Sequence, residues 1–408
     1  MKKRFSKILL IFSIVGPGII TANAGNDAGG VATYAVAGAK YGYSALWALF
    51  AIAIGLAVTQ ETNARMAVVT GKGLSDLIRE RYGVKWAFFA MITLLIANLG
   101  VCIGDFAGIA ASLELFHISK YIAVPIIAAL VWFIMTKWNY SVAEKIFLVL
   151  TLTFFSYIIT SFMVKPDWGF VAKSIVRPNI KFDKGYSIFL VGMVGTTITP
   201  YMQFYLQSSI VDKGIALKNY KYEKLDVYLG TIWGVATALF IAVCTAATLF
   251  KAGVSIETAQ DAAMALKPLA GNYSFILFGL GLFGASFLAC CVIPLSTAYA
   301  ICEAFGFESG LNNKIKDAPI FFGLFLFMII FSASIILMPS VSLISLILKS
   351  QQLAGILCPV ILIFMLKLVN DKELMGQHVN TPLQNFISKA TIVLIIGLTL
   401  VSFVGSFI

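Results

Sequence analysis

The sequence predicts an all-α integral membrane protein with eleven transmembrane helices built as an inverted repeat. Of the 408 residues, 60% are hydrophobic and only 12% are charged, whereas a soluble globular chain carries about 25% charged residues. The charges fall in short connections between apolar runs of about 18 or more residues, each long enough to cross a bilayer. Two of these runs, the first and the sixth, are interrupted near their middle. Interrupted helices at matching positions of two inverted halves are typical of transporters.

The predicted spans follow one another with little polar sequence between them. They cover residues 8–40, 44–69, 85–115, 120–136, 142–164, 186–211, 225–250, 272–303, 318–338, 341–368 and 386–407. Spans one to five (residues 1–164) form the first repeat, residues 165–185 an extracellular connection, spans six to ten (residues 186–368) the second repeat, and residues 369–408 a loop with span eleven.

Span one is broken near residues 22–29, within the glycine-rich stretch GPGIITANAGNDAGG at 16–30. That stretch places the carboxylate of Asp27 near the middle of an apolar run, where a charge is costly and marks a functional site by default. Irregular backbone at this depth is tolerated only where protein buries it or where it lines a watery cavity. We therefore predict a cation site formed by Asp27 and by backbone carbonyls near Asn26. The alternative is a structural carboxylate that caps the second half-helix, and the two roles are compatible.

Spans two and three carry further intramembrane acids. Glu61 stands four residues before Arg65, the favourable order for an ion pair on a helix, and we predict a structural salt bridge there. Asp105 lies deep in span three and is a candidate for an ion pathway. Glu114 is a second pathway candidate, although it is close enough to the outer surface to be merely interfacial.

Span six is interrupted by the segment TTITP at residues 196–200. Thr199 and Gln203 offer neutral oxygens beside this break, and Tyr201 follows the proline, where its ring would line the pathway. A structural role is the alternative for Gln203, since polar side chains in membranes often bond neighbouring helices. In span ten, the amide oxygen of Gln351 is a plausible cation ligand. Lys349 lies two residues away, and its positive charge is compatible with a bound cation only if the lysine side chain points elsewhere.

The charge distribution predicts the topology. Eighteen Lys and Arg residues fall in segments that are cytoplasmic when the N-terminus is inside, against nine in the outer segments. The positive-inside rule then places the N-terminus in the cytoplasm and the C-terminus outside, in the plasma (inner) membrane. The net charge of +11 follows from this rule and does not indicate nucleic acid.

Several function classes lack their sequence signals. The six cysteines show no C-x-x-C spacing, both histidines fall in predicted loops, and no phosphate-binding loop or Ser/His/Asp set is present. We therefore expect neither an enzyme nor a bound cofactor. A sensor would usually carry a soluble output domain, and no loop is long enough to hold one. We expect a monomer whose partners are the lipid bilayer and a transported ion.

Over nearly its whole length the chain resembles the Nramp divalent-metal transporters. Four places carry the resemblance: GPG at 16–18 with DAGG at 27–30, where the family has the metal-binding D-P-G-N; ARMAVVTGK at 64–72, where it has A-R-L-G-V-V-T-G-K; GTTITP at 195–200, where it has G-A-T-V-M-P-H; and Ser350, Gln351 and Pro359 in span ten. The resemblance implies a LeuT-like fold and alternating access.

The departures from the family pattern bear on substrate choice. Gly30 stands in place of the family's Asn ligand, Thr199 in place of its Met and Tyr201 in place of a His, while Asp105 matches the span-three acid linked to proton movement. This pattern is similar to the Nramp-related magnesium transporter branch, which lacks the Met and carries magnesium without clear proton coupling. A thioether favours soft metals, and its loss leaves an all-oxygen site. Magnesium usually keeps several waters, and we expect Gly30 to leave room for them.

We therefore expect a secondary transporter of Mg²⁺, and also Mn²⁺, by alternating access and without proton coupling. The predicted metal-site residues are Asp27, Asn26, Gly30, Thr196, Thr199, Gln203 and Gln351, with Tyr201, Asp105 and Glu114 along an ion pathway. A proton-coupled Mn²⁺/Fe²⁺ importer of the conventional Nramp type is the first alternative. A sodium-coupled amino-acid symporter of the same architecture is the second.

Overall fold

The structure, a computed structural model, describes residues 25–137, 152–179, 184–311 and 313–404. Within these residues every regular element is helical, as predicted. The α-helices are, in chain order, α1 (Ala28–Tyr41), α2 (Leu46–Thr70), α3 (Leu74–Tyr82), α4 (Val84–Glu114), α5 (Lys120–Lys137), α6 (Phe155–Met163), α7 (Trp168–Val176), α8 (Lys184–Thr197), α9 (Pro200–Asp212), α10 (Tyr220–Thr245), α11 (Ala259–Ala263), α12 (Lys267–Ala270), α13 (Ser274–Phe305), α14 (Pro319–Ile336), α15 (Leu343–Val369), α16 (Lys372–Met375) and α17 (Pro382–Val404). Six 3₁₀ segments (Gly42–Ala45, Leu152–Phe154, Leu217–Asn219, Met264–Leu266, Gly271–Tyr273 and Gly376–His378) and one π-helical segment (Ala246–Phe250) connect or extend them.

Seven helical runs among the described residues are long and apolar enough to cross a membrane. Helices α1 and α2 form a single run, because the 3₁₀ turn at Gly42–Ala45 joins them. The sixth predicted span appears as two shorter helices, α8 and α9, of 14 and 13 residues. The first half of span one and the start of span five lie outside the described residues. The count of eleven spans and the domain boundaries therefore stay predictions.

The break in span six has a local cause. Proline disfavours helical backbone in the residue before it, and Thr199 accordingly adopts an extended conformation (φ −70°, ψ 139°). Pro200 then occupies the first turn of α9, where its missing N–H costs no hydrogen bond. Helix α8 thus ends at Thr197 and α9 begins at Pro200. The interruption predicted from the sequence is confirmed.

The connection predicted at 165–185 contains a helix of its own, α7, which the sequence analysis missed. Asp167 caps this helix by accepting a hydrogen bond from the Phe170 N–H at 3.0 Å. Val171 is buried in an apolar cluster with Leu46 and Val243. The segment is therefore a helix that packs over the junction of α1 and α2. The sequence analysis assigned it as a polar connection because of its lysines and Arg177.

Helix α4 packs most extensively against α15 and α13. Glycines at every fourth position line these contacts. A Cβ on Gly104 would lie 2.4 Å from Ser350 Oγ, and one on Gly108 would lie 2.4 Å from Ser286 Oγ and from Ala28 Cβ. Small residues at such spacing let membrane helices approach closely. This packing brings α1, α4 and α15 together around the start of α1.

Candidate metal site at the start of helix α1

Asp27 caps helix α1. Its backbone is extended (φ −67°, ψ −170°), its Oδ1 accepts a hydrogen bond from the Gly30 N–H at 2.8 Å, and the residue is only 2% exposed. Asp27 therefore has the capping role that the sequence analysis gave as the alternative to a cation site. A carboxylate has about four lone-pair sites, so one N–H bond leaves capacity for a cation.

Asp105 lies at the same helix terminus. Its Oδ1 accepts a hydrogen bond from the Ala28 N–H at 3.3 Å, while its Oδ2 is buried and has no partner among the described residues. Asp105 is 0% exposed. The sequence analysis placed this residue only along a pathway, because nothing in the sequence shows that α4 packs against the start of α1. The structure brings the two carboxylates together at backbone N–H groups of the first turn of α1.

Gln351 contacts the same turn of α1 and also α8. A Cβ on Gly29 would lie 1.8 Å from Gln351 Nε2, so only glycine accommodates the amide there. The carbonyl oxygen of Gln351 packs directly against the backbone of α8. A Cβ on Gly195 would lie only 2.0 Å from this oxygen. Gln351 Oε1 is buried and has no partner among the described residues. Lys349 is exposed and does not share this buried position.

The break between α8 and α9 adds hydroxyl and carbonyl oxygens. The Thr199 hydroxyl donates to the Thr196 carbonyl at 3.0 Å, and Thr196 Oγ1 is buried without a partner among the described residues. Tyr34 Oη and Thr197 Oγ1 form a hydrogen bond of 2.8 Å that joins α1 to α8. Tyr201 is fully buried and lies within electrostatic range of Asp27 and Asp105.

Three predicted residues have other surroundings than expected. Gln203 donates to the Thr199 carbonyl at 3.1 Å and accepts from Asn63 Nδ2 at 2.6 Å, which favours the structural alternative. Glu114 is exposed at the end of α4, which favours the interfacial alternative. The expected room beside Gly30 is absent, because a Cβ there would lie 2.7 Å from the Gly25 carbonyl oxygen. Gly30 instead contributes its N–H to Asp27.

Sequence reasoning missed two neighbours of the site. The Cys358 thiol donates to the Ile198 carbonyl at 3.0 Å, so it occupies an oxygen exposed by the helix break. Tyr34 ties α1 to α8. Cys358 lies seven residues after Gln351, and Tyr34 lies seven residues after Asp27. Residues seven apart are two helical turns apart and lie on the same helix face. That spacing was the available signal.

A small cavity adjoins the site. It is lined by Asn26, Tyr34, Gln60 and Thr197, among others, and the volume available to the centres of water molecules is about 30 Å³. Roughly 10–15 Å³ measured in this way holds one water. Among the described residues, no group of three or more His, Cys, Asp and Glu side chains could hold a metal ion. The surroundings of Asp27 offer a cation carboxylate, amide, hydroxyl and carbonyl oxygens.

Comparisons with known proteins agree with the predicted family. The model of the Nramp family, natural resistance-associated macrophage protein-like, matches residues 18–405. The chain is 25% identical over 400 residues to the divalent metal cation transporter MntH of Yersinia pestis (strain Pestoides F), covering 95% of this chain and 93% of the relative. It is 26% identical over 402 residues to MntH of Caldanaerobacter subterraneus subsp. tengcongensis, covering 94% and 89%.

Two solved structures have similar folds. One is the Eremococcus coleocola manganese transporter in complex with an aromatic bis-isothiourea substituted compound, with a TM-score of 0.77, 19% identity and coverage of 98% of this chain and 87% of that chain. The other is the closed conformation of Mhp1, a nucleobase-cation-symport-1 family transporter, with a TM-score of 0.54, 16% identity and coverage of 94% and 92%. The predicted LeuT-like architecture is thus confirmed. Because the family model spans nearly the whole sequence, this multi-pass membrane protein belongs to the Nramp divalent-metal transporter family and is a transporter rather than an enzyme.

Proposed function

We propose that this chain carries divalent cations into the cell by alternating access, with Mg²⁺ as the first substrate and Mn²⁺ as the second, and without coupled protons. It acts as a monomer in the plasma membrane, with the N-terminus in the cytoplasm and the C-terminus outside. Asp27 binds the ion by charge, and Gln351, Thr196 and Thr199 contribute neutral oxygens, directly or through water.

The observation that carries this proposal is the oxygen character of the surroundings of Asp27. Thr199 occupies the break of span six, where the family carries a thioether, and its hydroxyl donates to the Thr196 carbonyl. Asp105 and the unpartnered Oε1 of Gln351 are also hard ligands. Hard oxygen ligands suit Mg²⁺ and Mn²⁺. The sulfur of Cys358 at the break belongs to a thiol that donates to a carbonyl, whereas the thiolate is the metal-binding form.

The position of Asp105 supports a second candidate, the proton-coupled Mn²⁺/Fe²⁺ importer. Asp105 and Asp27 both bond to N–H groups in the first turn of α1, and one oxygen of Asp105 is buried without a partner among the described residues. Two carboxylates in one site cannot both ionise freely, so such a pair readily holds a proton. Arrival of a divalent cation would release that proton. The relatives named for divalent metal and manganese transport also support this candidate.

The experiment is uptake by proteoliposomes that contain a Mg²⁺-sensitive dye or a Mn²⁺-sensitive dye together with a pH dye. We expect saturable uptake of Mg²⁺ and Mn²⁺ with constant internal pH. Asp27→Asn should abolish saturable uptake while retaining the cap, since an amide oxygen still accepts from the Gly30 N–H. Glu114→Gln, a change at an exposed acid of α4, is the matched control and should transport normally.

Two results would contradict the proposal in different ways. Uptake of Mn²⁺ without Mg²⁺, accompanied by internal acidification that Asp105→Asn abolishes, would establish the proton-coupled importer. Absence of any divalent uptake by wild-type protein that is folded and correctly reconstituted would reject both candidates and return the sodium-coupled amino-acid symporter to consideration.

A further inference from the structure

Three buried amide oxygens on α2 and α9 have no hydrogen-bond partner among the described residues. They are Gln60 Oε1, Asn63 Oδ1 and Gln207 Oε1, and the three residues are 4%, 0% and 0% exposed. Buried amide groups are normally hydrogen-bonded, so an unpartnered oxygen at all three positions indicates a ligand. None of the three residues is among the metal ligands of the proposed function.

Neighbouring hydrogen bonds fix the orientation of two of these amides. Gln203 donates its Nε2 to the Thr199 carbonyl, so its Oε1 must accept from Asn63 Nδ2. Gln207 Nε2 donates to the Lys72 carbonyl at 2.9 Å. Asn63 and Gln207 therefore use an N–H group and leave the oxygen, which can only accept. A cation, or a water molecule bound to one, satisfies such an oxygen.

The amides follow one another along the packed faces of α2 and α9. Gln60 and Asn63 are three residues apart on α2, and Gln203 and Gln207 are four apart on α9, so the members of each pair share a helix face. The 2.6 Å hydrogen bond from Asn63 to Gln203 joins the two faces. Lys72, whose carbonyl accepts from Gln207, is exposed just beyond the end of α2. These four residues, the carboxamide row, thus extend from the interior to the end of α2.

A cavity connects the carboxamide row with the surroundings of Asp27. Gln60 of α2 and Met202 of α9 line it together with Gly25 and Asn26, which directly precede Asp27. The cavity is large enough for water. Neither amide atom of Gln60 has a partner in the described part of the chain, so the side chain can both donate to water and accept from it. Gln60 is therefore placed to contact a hydrated ion that leaves Asp27.

The carboxamide row is polar but carries no charge. Amide oxygens are ligands that suit Mg²⁺ and Mn²⁺, and a neutral oxygen holds a divalent cation less strongly than the carboxylate of Asp27. Conduction of an ion requires sites that bind well enough to admit it and weakly enough to let it leave. Helices α2 and α9 both run toward the side that the proposed topology places in the cytoplasm. A row of neutral oxygens in this position meets both requirements.

We propose that the carboxamide row is the release path for the transported ion. Gln60, Asn63 and Gln207 offer their oxygens in turn to a partly hydrated divalent cation that moves from Asp27 to the cytoplasm. Gln203 is a positioning residue, because it holds the Asn63 amide with its oxygen unpaired. This inference rests on the proposed function.

The first test removes an oxygen from the carboxamide row without breaking a hydrogen bond of the described residues. Gln60→Leu replaces a buried, unpartnered amide by an apolar side chain, so the unfolding temperature should stay the same or rise. We expect the maximal rate of Mn²⁺ uptake into proteoliposomes to fall about tenfold. The Kd for Mn²⁺, measured by electron paramagnetic resonance on the purified full chain, should stay at the wild-type value, since Asp27 is unchanged. Gln377→Leu alters an exposed carboxamide on the same proposed side and should change none of the three quantities.

The second test adds charge along the carboxamide row. Gln60→Glu, Asn63→Asp and Gln207→Glu each place a carboxylate where the path needs a weak ligand. Because affinity for a divalent cation rises with the charge of the ligands, we expect each variant to bind Mn²⁺ about tenfold more tightly and to transport it more slowly. Gln377→Glu is the matched control, and its Kd and rate should equal those of the wild type.

The inference and the proposed function fail differently. If wild-type protein transports Mn²⁺ and Gln60→Leu transports it equally fast, the release path is rejected and the proposed function stands. The same holds if Gln60→Leu loses rate together with unfolding temperature, because Gln60 is then a structural residue. If wild-type protein neither binds nor transports a divalent cation, the proposed function itself is rejected.

Discussion

Two carboxylates bond two backbone N–H groups in the first turn of α1. Asp27 accepts the Gly30 N–H and Asp105 accepts the Ala28 N–H. A helix N-terminus carries partial positive charge, which stabilises an acid there. Two acids exceed what one terminus balances, and the divalent cation of the proposed function would supply the remaining positive charge.

In the proposed function, Thr199 is the residue that bears most directly on selectivity. Its side chain is 1% exposed at the break between α8 and α9 and donates to the Thr196 carbonyl. We predict that Thr199→Met raises the ratio of Mn²⁺ to Mg²⁺ uptake by about tenfold, equivalent to ~1.4 kcal/mol, because a thioether prefers softer metals. Competition between the two ions in proteoliposomes measures this ratio. Thr199→Val, which removes the hydroxyl without adding sulfur, is the control and should not increase it.

An unchanged ratio in Thr199→Met, with both ions still transported, would show that position 199 does not face the ion. The replacement of the family's Met by Thr199 would then not explain a preference for Mg²⁺, although Asp27 would remain the proposed charged ligand.

Helices α8 and α15 approach each other closely. A Cβ on Gly195 would lie 2.0 Å from the Gln351 carbonyl oxygen, and one on Gly355 would lie 2.2 Å from the Val191 carbonyl oxygen. The two backbones therefore touch, and this crossing positions Gln351 against α1. Contacts at this distance cannot admit a methyl group unless a helix moves.

We predict that Gly195→Ala lowers the free energy of unfolding by about 1–3 kcal/mol, the usual cost of overpacking, and reduces transport by displacing Gln351. Thermal unfolding in detergent and Mn²⁺ uptake measure the two effects. Gly397→Ala in α17 is the matched control, since no atom lies within 4 Å of the added Cβ. Equal stability of the two variants would contradict the direct backbone contact.

The ion pair predicted on α2 is confirmed and is part of a larger network. Arg65 Nη2 lies 3.2 Å from Glu61 Oε2, and Arg65 Nη1 donates to the His378 and Val379 carbonyls at 3.0 Å each. Glu61 also accepts from Tyr220 of α10 and from Gln384 of α17. The pair thus joins α2 to α10, to the 376–380 segment and to α17.

Removing Arg65 should cost far more stability than removing an exposed lysine. Breaking a buried pair leaves an unpaired charge and costs about 3–5 kcal/mol, so we predict a large fall in unfolding temperature for Arg65→Gln. Lys72→Gln breaks the pair to Glu80, whose side chains are 46% and 49% exposed, and such pairs contribute about 0–1 kcal/mol. If the two variants unfold at the same temperature, the network is not a stabilising element.

At the scale of the whole molecule, the sequence predicted features that depend on neighbours along the chain. The buried Asp27, the break at Pro200 and the Glu61–Arg65 pair all arise within a few residues. The points that the sequence left open or missed concern partners distant in sequence: Asn63 reaches Gln203 across 140 positions, and Ala28 reaches Asp105 across 77. Periodicity and composition carry no information on such contacts. Two errors are local: the backbone of Gly25 closes the space beside Gly30, and the basic residues of α7 masked its apolar face.

The energy source is also a property of the whole molecule. In the proposed function, which lacks coupled protons, the membrane potential would drive inward transport; it is worth about 2.3 kcal/mol per charge per 100 mV, and therefore about 4.6 kcal/mol per 100 mV for a divalent ion. We predict that Mg²⁺ uptake into proteoliposomes rises steeply when potassium and valinomycin set an inside-negative potential, and that it is insensitive to an imposed pH gradient. Vesicles clamped at zero potential are the control. If a pH gradient at zero potential drives accumulation of the ion, protons cross with it, and the shared helix terminus of Asp27 and Asp105 is then where a proton and a cation exchange.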